Sequence, residues 1–124
     1  CVRFFFVKQK AAYEIGLWLE FRTCALPICE LALLNLRKSD YLKNRLAHVA
    51  DFNIRFSTDT FNEFVLECPR PVEEVLNALK QERIIGGYPL ESCYPDLKNC
   101  LLICVTDLNS REKMDHFAEI LEAM

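Results

Sequence analysis

The sequence has few of the residues on which recognisable catalytic motifs depend. Its 124 residues include three glycines and two histidines. They contain no GxSxG, HExxH or GxxxxGK motif, so the usual serine-nucleophile, zinc-protease and phosphate-loop sites are not indicated. No apolar run reaches the length needed to cross a bilayer. The sequence therefore predicts neither a familiar hydrolase nor a membrane protein.

The first 28 residues resemble a translated sequencing adapter rather than a protein segment. They show neither a helical nor a strand period. Residues 6–15 match the translation of a short-read flow-cell adapter, with Val7 inserted and Ala11 in place of threonine. Residues 18–22 (WLEFR) and 23–28 (TCALPI) match the read primer in two neighbouring frames. We therefore expect residues 1–28 to be an artefact and the biological sequence, lacking its N-terminal part, to occupy residues 29–124.

Residues 29–124 are acidic and rich in isolated cysteines. They hold 11 Lys+Arg against 16 Asp+Glu, and no basic stripe that would favour nucleic acid. None of the five cysteines belongs to a CxxC pair (Cys29, Cys68, Cys93, Cys100 and Cys104). Unpaired thiols used as small apolar residues are typical of a cytoplasmic protein. We expect no metal site, no nucleic-acid partner and no membrane association.

The order of hydrophobic patterns predicts an α+β domain. A helix is predicted from Glu30 to about Val49, followed by strands over residues 52–56 and 61–68 that form a hairpin. Pro71 is expected to open a second helix that stops near Arg83. A fully apolar central strand over residues 101–105 precedes a last helix. The prediction is a three-stranded, mainly antiparallel sheet with helices packed on it.

The pattern also predicts the N-cap and the buried side of the last helix. Asn109 is predicted to cap the last helix, with Glu112 completing a capping box. The buried side of that helix is expected to consist of Met114, Phe117, Ile120, Leu121 and Met124.

Six residues are candidates for a binding surface, although nothing in them names a reaction. The paired glycines of IIGGYPL permit close approach of a ligand or of another backbone, or they end a helix and form a tight turn. Asn62 and Glu63 interrupt an apolar strand, and they face either solvent or an interface. The possible site-wall or interface residues are Asn62, Glu63, Gly86, Gly87, Tyr88 and Pro89.

Residues 30–124 resemble the C-terminal end of subunit 1 of the glycine decarboxylase family, the P-protein of the glycine cleavage system. The resemblance rests on FNEFV, P-x-P-V opening a helix, I-x-G-G-x-P-L, Tyr94-Pro95 and ICVT, in that order. NLRKSDYLKNRL (residues 35–46) is similar to a helix of the same family. The combination is specific, whereas each motif alone is not.

This resemblance implies the small C-terminal domain of a fold type I enzyme dependent on pyridoxal phosphate. It implies that the cofactor is bound by a lysine of subunit 2, and it assigns that role to none of the lysines here (Lys38, Lys43, Lys80, Lys98, Lys113). The implied enzyme decarboxylates glycine and passes the aminomethyl group to the lipoyl arm of H-protein, in a cytoplasmic heterotetramer with subunit 2. We expect the fragment alone to be inactive, with no catalytic or cofactor-binding residue of its own.

Two other classes of protein remain open at this stage. The small domain of an aminotransferase or a cysteine desulfurase would carry a carboxylate-clamping arginine, for which Arg55 and Arg70 are the candidates. A free-standing, ferredoxin-like module would use Gly86-Gly87 to line a small-molecule pocket. An exposed apolar patch on residues 30–49 would favour a domain cut from a larger protein, whereas a fully polar surface would favour the module.

Overall fold

A computed structural model of the chain describes the backbone of residues 12–124 and the side chains of residues 27–124. It contains three helices and four strands within this part of the chain. They are α1 (Ala12–Leu46), β1 (Asn53–Ile54), β2 (Glu63–Glu67), α2 (Val72–Gln81), β3 (Tyr88–Pro89), β4 (Cys100–Cys104) and α3 (Arg111–Glu122). The predicted order of elements is confirmed, with one additional strand.

Contacts divide the chain into two units, Cys1–Leu31 and Ala32–Met124. In the first unit, the described residues 12–31 are all helical. The second unit contains the end of α1, the sheet and the other two helices. The core and the sites described below all lie within the second unit.

The sheet has four antiparallel strands in the order β1-β2-β4-β3. The prediction that residues 101–105 form a central strand is confirmed, because β4 pairs with β2 on one side and with β3 on the other. The prediction of three strands was wrong by one. Strand β3 has only two residues, one of them Pro89, so it has no alternation that a sequence pattern could reveal.

Helix α1 begins earlier than predicted. It starts at Ala12, continues through Pro27 and ends at Leu46, so the predicted bounds of Glu30 and about Val49 were wrong at both ends. Most residues in this stretch are compatible with a helix even without a clear apolar stripe. Residues 1–11 lie outside the described part of the chain, and the helix does not test whether residues 1–28 are adapter.

The hydrophobic core lies between one face of the sheet and the three helices. Alternate residues of the two central strands point into it, namely Phe64 and Leu66 from β2 and Leu101 and Ile103 from β4. The helices contribute nine further buried residues (Leu42, Leu46, Val72, Val75, Leu79, Met114, Phe117, Ala118 and Leu121), and the segments that flank the helices and strands contribute four (Val49, Phe52, Cys68 and Val105). The predicted apolar faces of α2 and α3 are therefore confirmed, with Leu76, Ile120 and Met124 partly buried at their margins.

The cap of α3 differs from the prediction by one residue. Ser110 is the N-cap, and its Oγ accepts a hydrogen bond from the Lys113 amide at 3.3 Å. Asn109 instead accepts a hydrogen bond from the Thr106 amide at 2.8 Å through its Oδ1 atom. The side chain of Asn109 therefore closes the turn before the helix and is not available as its cap. Pro71, which was predicted to be the first residue of α2, lies one position before it, because the helix begins at Val72.

Replacing Ser110 with alanine should lower the free energy of unfolding by about 1 kcal/mol, because the Lys113 amide loses its acceptor. Urea unfolding followed by circular dichroism would measure the change. Ser92→Ala is the matched control, since Ser92 is exposed and its hydroxyl contacts only the Cys93 thiol, at 3.8 Å. An equal loss in both variants would contradict the assignment of the cap.

None of the helices in the described part of the chain is long and apolar enough to cross a membrane.

Candidate functional site

The face of the sheet opposite the helices carries the candidate functional site. Side chains alternate along a strand, so the residues between the core positions of β2 and β4 point to this other face. We call it the outer face and define it by Glu63, Val65 and Glu67 of β2, Cys100, Leu102 and Cys104 of β4, and Tyr88 of β3. None of these residues belongs to the core cluster.

A row of apolar side chains crosses the middle of the outer face. Val65 is directly opposite Leu102, which is in turn opposite Tyr88 on the other side. Val65 and Leu102 are half-buried, and 53% of Tyr88 is exposed. Three adjacent apolar side chains on one sheet surface form a flat patch to which another apolar surface could bind.

A polar group lies at one end of this row. Glu63 is opposite Cys104 in the register, and the Asn62 side-chain amide donates to the Cys104 sulfur at 3.6 Å. Partial burial raises the pKa of the Cys104 thiol, and the neighbouring Glu63 carboxylate raises it further. Cys104 is therefore held as the neutral thiol, which is a poor nucleophile.

The other end of the row carries an ion pair beside a buried thiol. Glu67 is opposite Cys100 and forms an ion pair with Arg55, with 3.5 Å between Nη1 and Oε2. Burial raises the pKa of the Cys100 thiol, and Glu67 raises it too, whereas Arg55 opposes the shift. Arg55, one of the two candidate carboxylate clamps, thus has a carboxylate partner already, and Arg70 is exposed in the loop before α2.

Gly86 and Gly87 are each required by a close contact, but the two contacts lie on different sides of the domain. Gly87 has φ +147°, and a Cβ there would lie 2.6 Å from the Leu102 carbonyl oxygen, so it allows β3 to approach β4 closely. A Cβ on Gly86 would lie 2.3 Å from Cδ1 of Leu79 in α2. Gly86 therefore packs against the helical side of the domain, and the pair does not form one ligand-binding loop on the outer face.

The structure brings three of the six candidate residues onto or beside the outer face. Glu63 and Tyr88 lie on it, and Asn62 reaches it through its contact with Cys104. Gly87 and Pro89 belong to the edge of the sheet beside Tyr88, whereas Gly86 is buried against α2. Sequence reasoning missed the other five members of the surface (Val65, Glu67, Cys100, Leu102 and Cys104), because finding them as one surface requires the register between β2 and β4.

The chemistry available on the outer face suits binding more than proton or group transfer. Cys104 and Cys100 have raised pKa values, and none of the outer-face residues is a histidine or a lysine. The groups present are an apolar row, two carboxylates, one amide and one phenol. Such a set can form a wall or an interface and position a partner.

Replacing Glu63 with glutamine should accelerate alkylation of Cys104 by iodoacetamide roughly two- to tenfold at pH 7.5. Removing the adjacent negative charge lowers the pKa of the thiol, so a larger fraction is thiolate at that pH. Mass spectrometry of the labelled peptide would give the rate. Cys93 in the same sample is the internal control, and its rate should not change. Equal acceleration at both cysteines would mean that the substitution loosens the fold and does not act on Cys104 through its charge.

Known proteins resemble this chain in sequence over most of its length. No protein-family model matches the chain. Over 95 residues it is 39% identical to probable glycine dehydrogenase (decarboxylating) subunit 1 of Shouchella clausii, covering 77% of this chain and 21% of that protein. Over 86 residues it is 42% identical to the proteins of the same name from Bacillus thuringiensis and Bacillus cereus, covering 69% of this chain and 19% of theirs. Most of this chain is thus similar to about one fifth of glycine dehydrogenase subunit 1.

A solved structure agrees with the homology to glycine dehydrogenase subunit 1. The crystal structure of glycine decarboxylase (P-protein) of the glycine cleavage system, in inhibitor-bound form, superimposes with a TM-score of 0.65 and 27% identity. The match covers 76% of this chain and 21% of that one. The predicted resemblance to glycine decarboxylase subunit 1 and the predicted α+β fold are confirmed, and the chain spans about one fifth of the length of the relatives that it matches.

Proposed function

We propose that residues 29–124 are the C-terminal small domain of subunit 1 of a glycine dehydrogenase (decarboxylating), a fold type I enzyme. The support is the 39–42% identity to subunit 1 proteins together with the order of the motifs from FNEFV to ICVT. The identity extends over most of the chain, which no single motif could produce by chance.

The whole enzyme would act in the cytoplasm as part of the glycine cleavage system. It would decarboxylate glycine and transfer the remaining aminomethyl group to the lipoyl arm of H-protein, and pyridoxal phosphate would serve as the electron sink. We assign the cofactor to subunit 2. The amines of Lys38 and Lys43 donate to backbone carbonyls, and no step through the cofactor follows from the residues of this chain.

The outer face is the surface through which, we propose, this domain contacts the rest of the enzyme. Its apolar row of Val65, Leu102 and Tyr88 would contact the large domain or subunit 2, and Glu63 and Asn62 would line the boundary of the active site. Gly87 and Pro89 would position Tyr88 at the sheet edge. This arrangement makes the domain a wall of the site that holds no reacting group.

The described part of α1 favours a domain of a larger protein over a free-standing module. Leu33 and Leu34 are 51% and 42% exposed, so this part of α1 presents large apolar side chains to solvent. Contact with the remainder of subunit 1 would cover these leucines, whereas a free-standing module would leave them in water.

A chimeric subunit would test the proposed function. Residues 29–124 would replace the corresponding part of the Bacillus cereus subunit 1, and the chimera would be co-expressed with its subunit 2. Glycine-dependent release of carbon dioxide in the presence of lipoylated H-protein should lie within about tenfold of the parent enzyme. A chimera that assembles with subunit 2 but releases no carbon dioxide would contradict the proposal.

The adapter proposal for residues 1–28 has a separate test. Source DNA would be amplified with a primer inside the codons for FNEFVLEC and sequenced upstream across codon 28. We expect the frame to continue into the large domain of a fold type I enzyme. Finding the codons for FFFVKQKAAYEI in the source DNA would overturn the adapter proposal and leave the homology of residues 29–124 unaffected.

A further inference from the structure

An open pocket of about 500 Å³ lies on the helical side of the domain, and Cys104, at the end of the outer face, also lines it. It is bordered by the loop after α2, the end of β4 and the first turns of α3. Its floor consists of apolar side chains that are themselves part of the core (Leu42, Ile103, Val105, Met114 and Phe117). The volume falls within the range of small-molecule sites, and an apolar floor is typical of them.

The rim of this pocket is charged. Arg83 and Lys113 lie on it as cations, with Glu82 and His116 beside them. The Glu82 carboxylate is 3.9 Å from Nε2 of His116, and the Glu119 carboxylate is 3.8 Å from the other ring nitrogen. Apart from His116, the rim therefore carries two positive charges, of Arg83 and Lys113, and one negative charge, of Glu82.

The two rim cations, Arg83 and Lys113, form no ion pair with a described carboxylate, whereas three arginines elsewhere in the domain do. Arg45, Arg55 and Arg111 each form an ion pair, with Glu122, Glu67 and Asp115 respectively. Neither Arg83 nor Lys113 has an acidic partner within 4.0 Å among residues 27–124. Two unpaired cations beside one apolar cavity can bind the anionic end of a ligand whose remainder is apolar.

The end of α2 fixes the position of Arg83 on the rim. Arg83 has φ +60° and directly follows the C-cap residue Glu82. Its amide donates to the Lys80 carbonyl at 3.0 Å, and the Ile84 amide donates to the Leu79 carbonyl at 2.9 Å. These two bonds are the usual way in which a helix ends on a left-handed residue, so the backbone that carries the Arg83 side chain is well defined.

We infer that this pocket binds a small amphipathic monocarboxylate, with its hydrocarbon part on the apolar floor and its carboxylate between Arg83 and Lys113. A monocarboxylate balances the one positive charge that remains when Glu82 is set against Arg83 and Lys113. The inference does not depend on the proposed function, because it uses only the geometry of the domain.

Octanoate is a suitable probe, and the full chain labelled with ¹⁵N is a suitable target. On titration, amide shifts should concentrate at residues 82–86, 103–105 and 113–117, and saturate. Arg83→Gln and Lys113→Gln should each weaken binding about tenfold, whereas Arg83→Lys should retain most of it. Lys98→Gln is the matched control, because Lys98 is exposed and does not line the pocket.

Octanol separates the contribution of the carboxylate from that of the apolar floor. It has the same chain length without the charge, and it should bind at least several-fold more weakly than octanoate. Equal affinity of the two probes would overturn the inference, as would equal octanoate affinity in the two glutamine variants and the parent. Shifts centred on Val65, Leu102 and Tyr88 of the outer face, or no shifts at all, would also overturn it. Because Arg83 and Lys113 are exposed, the variants should fold, and their amide spectra report this directly.

Discussion

Replacing Phe64 with alanine is expected to lower the free energy of unfolding by about 3–5 kcal/mol. Phe64 is 2% exposed and points from the centre of β2 into the core, opposite Ile103 of β4. Removing its ring leaves a cavity between the sheet and the helices, because the backbone of a paired central strand cannot move in to fill it. A domain of this size is typically stable by about 5–15 kcal/mol, so the loss would consume a large part of the total.

Phe61 provides the matched control for this substitution. It is the same residue type, three positions earlier in the chain, and 51% exposed. Phe61→Ala should cost less than about 1 kcal/mol, because little apolar surface returns to water. Urea unfolding monitored by circular dichroism would measure both variants. Similar losses for the two phenylalanines would mean that β2 does not face the core in the register described here.

The core could be predicted from the sequence because its periods are strong. Alternation over residues 61–68 identified Phe64 and Leu66 as one face of a strand, and the helical spacing from Val72 to Leu79 identified the buried side of α2. These patterns arise because each element must bury one continuous apolar face. Strands and helices that bury such a face can therefore be predicted from the sequence without knowing which elements they pack against.

Other features depend on contacts that no local pattern contains. The two-residue strand β3 exists because Tyr88 and Pro89 pair with β4. Ser110 caps α3 because the Asn109 side chain is already bonded to the Thr106 amide. Either residue type is a good N-cap, so the choice between them is decided by the turn that precedes the helix.

The candidate site could be predicted only in part for the same reason. Asn62 and Glu63 stand out in the sequence because they interrupt an apolar strand, and Tyr88 because it follows paired glycines; the sheet brings all three to one surface. Gly86 stands out for the same reason as Tyr88 but packs against α2. Leu102 looks like an ordinary core residue in the sequence, since the fully apolar strand β4 does not show which of its two faces is partly exposed.

Replacing Gly87 with alanine is expected to cost about 2–4 kcal/mol and to weaken the pairing of β3 with β4. The backbone conformation at φ +147° is unfavourable for any residue with a Cβ, and the added atom would lie 2.6 Å from the Leu102 carbonyl oxygen. That oxygen belongs to the central strand and cannot yield without disturbing the sheet. The edge strand must therefore move away, which also separates Tyr88 from the apolar row on the outer face.

Hydrogen exchange at the Leu90 amide would detect this movement, because that amide donates to the Cys100 carbonyl at 3.0 Å just beyond β3. Exchange should be faster in Gly87→Ala than in the parent chain, while amides of the β2–β4 ladder remain protected. Tyr88→Ala is the control, since it removes an exposed ring next to Gly87 without adding a backbone clash, and it should leave Leu90 protected. Equal protection of Leu90 in the parent and in Gly87→Ala would contradict the close approach of β3 to β4, and with it the position of Tyr88 on the outer face.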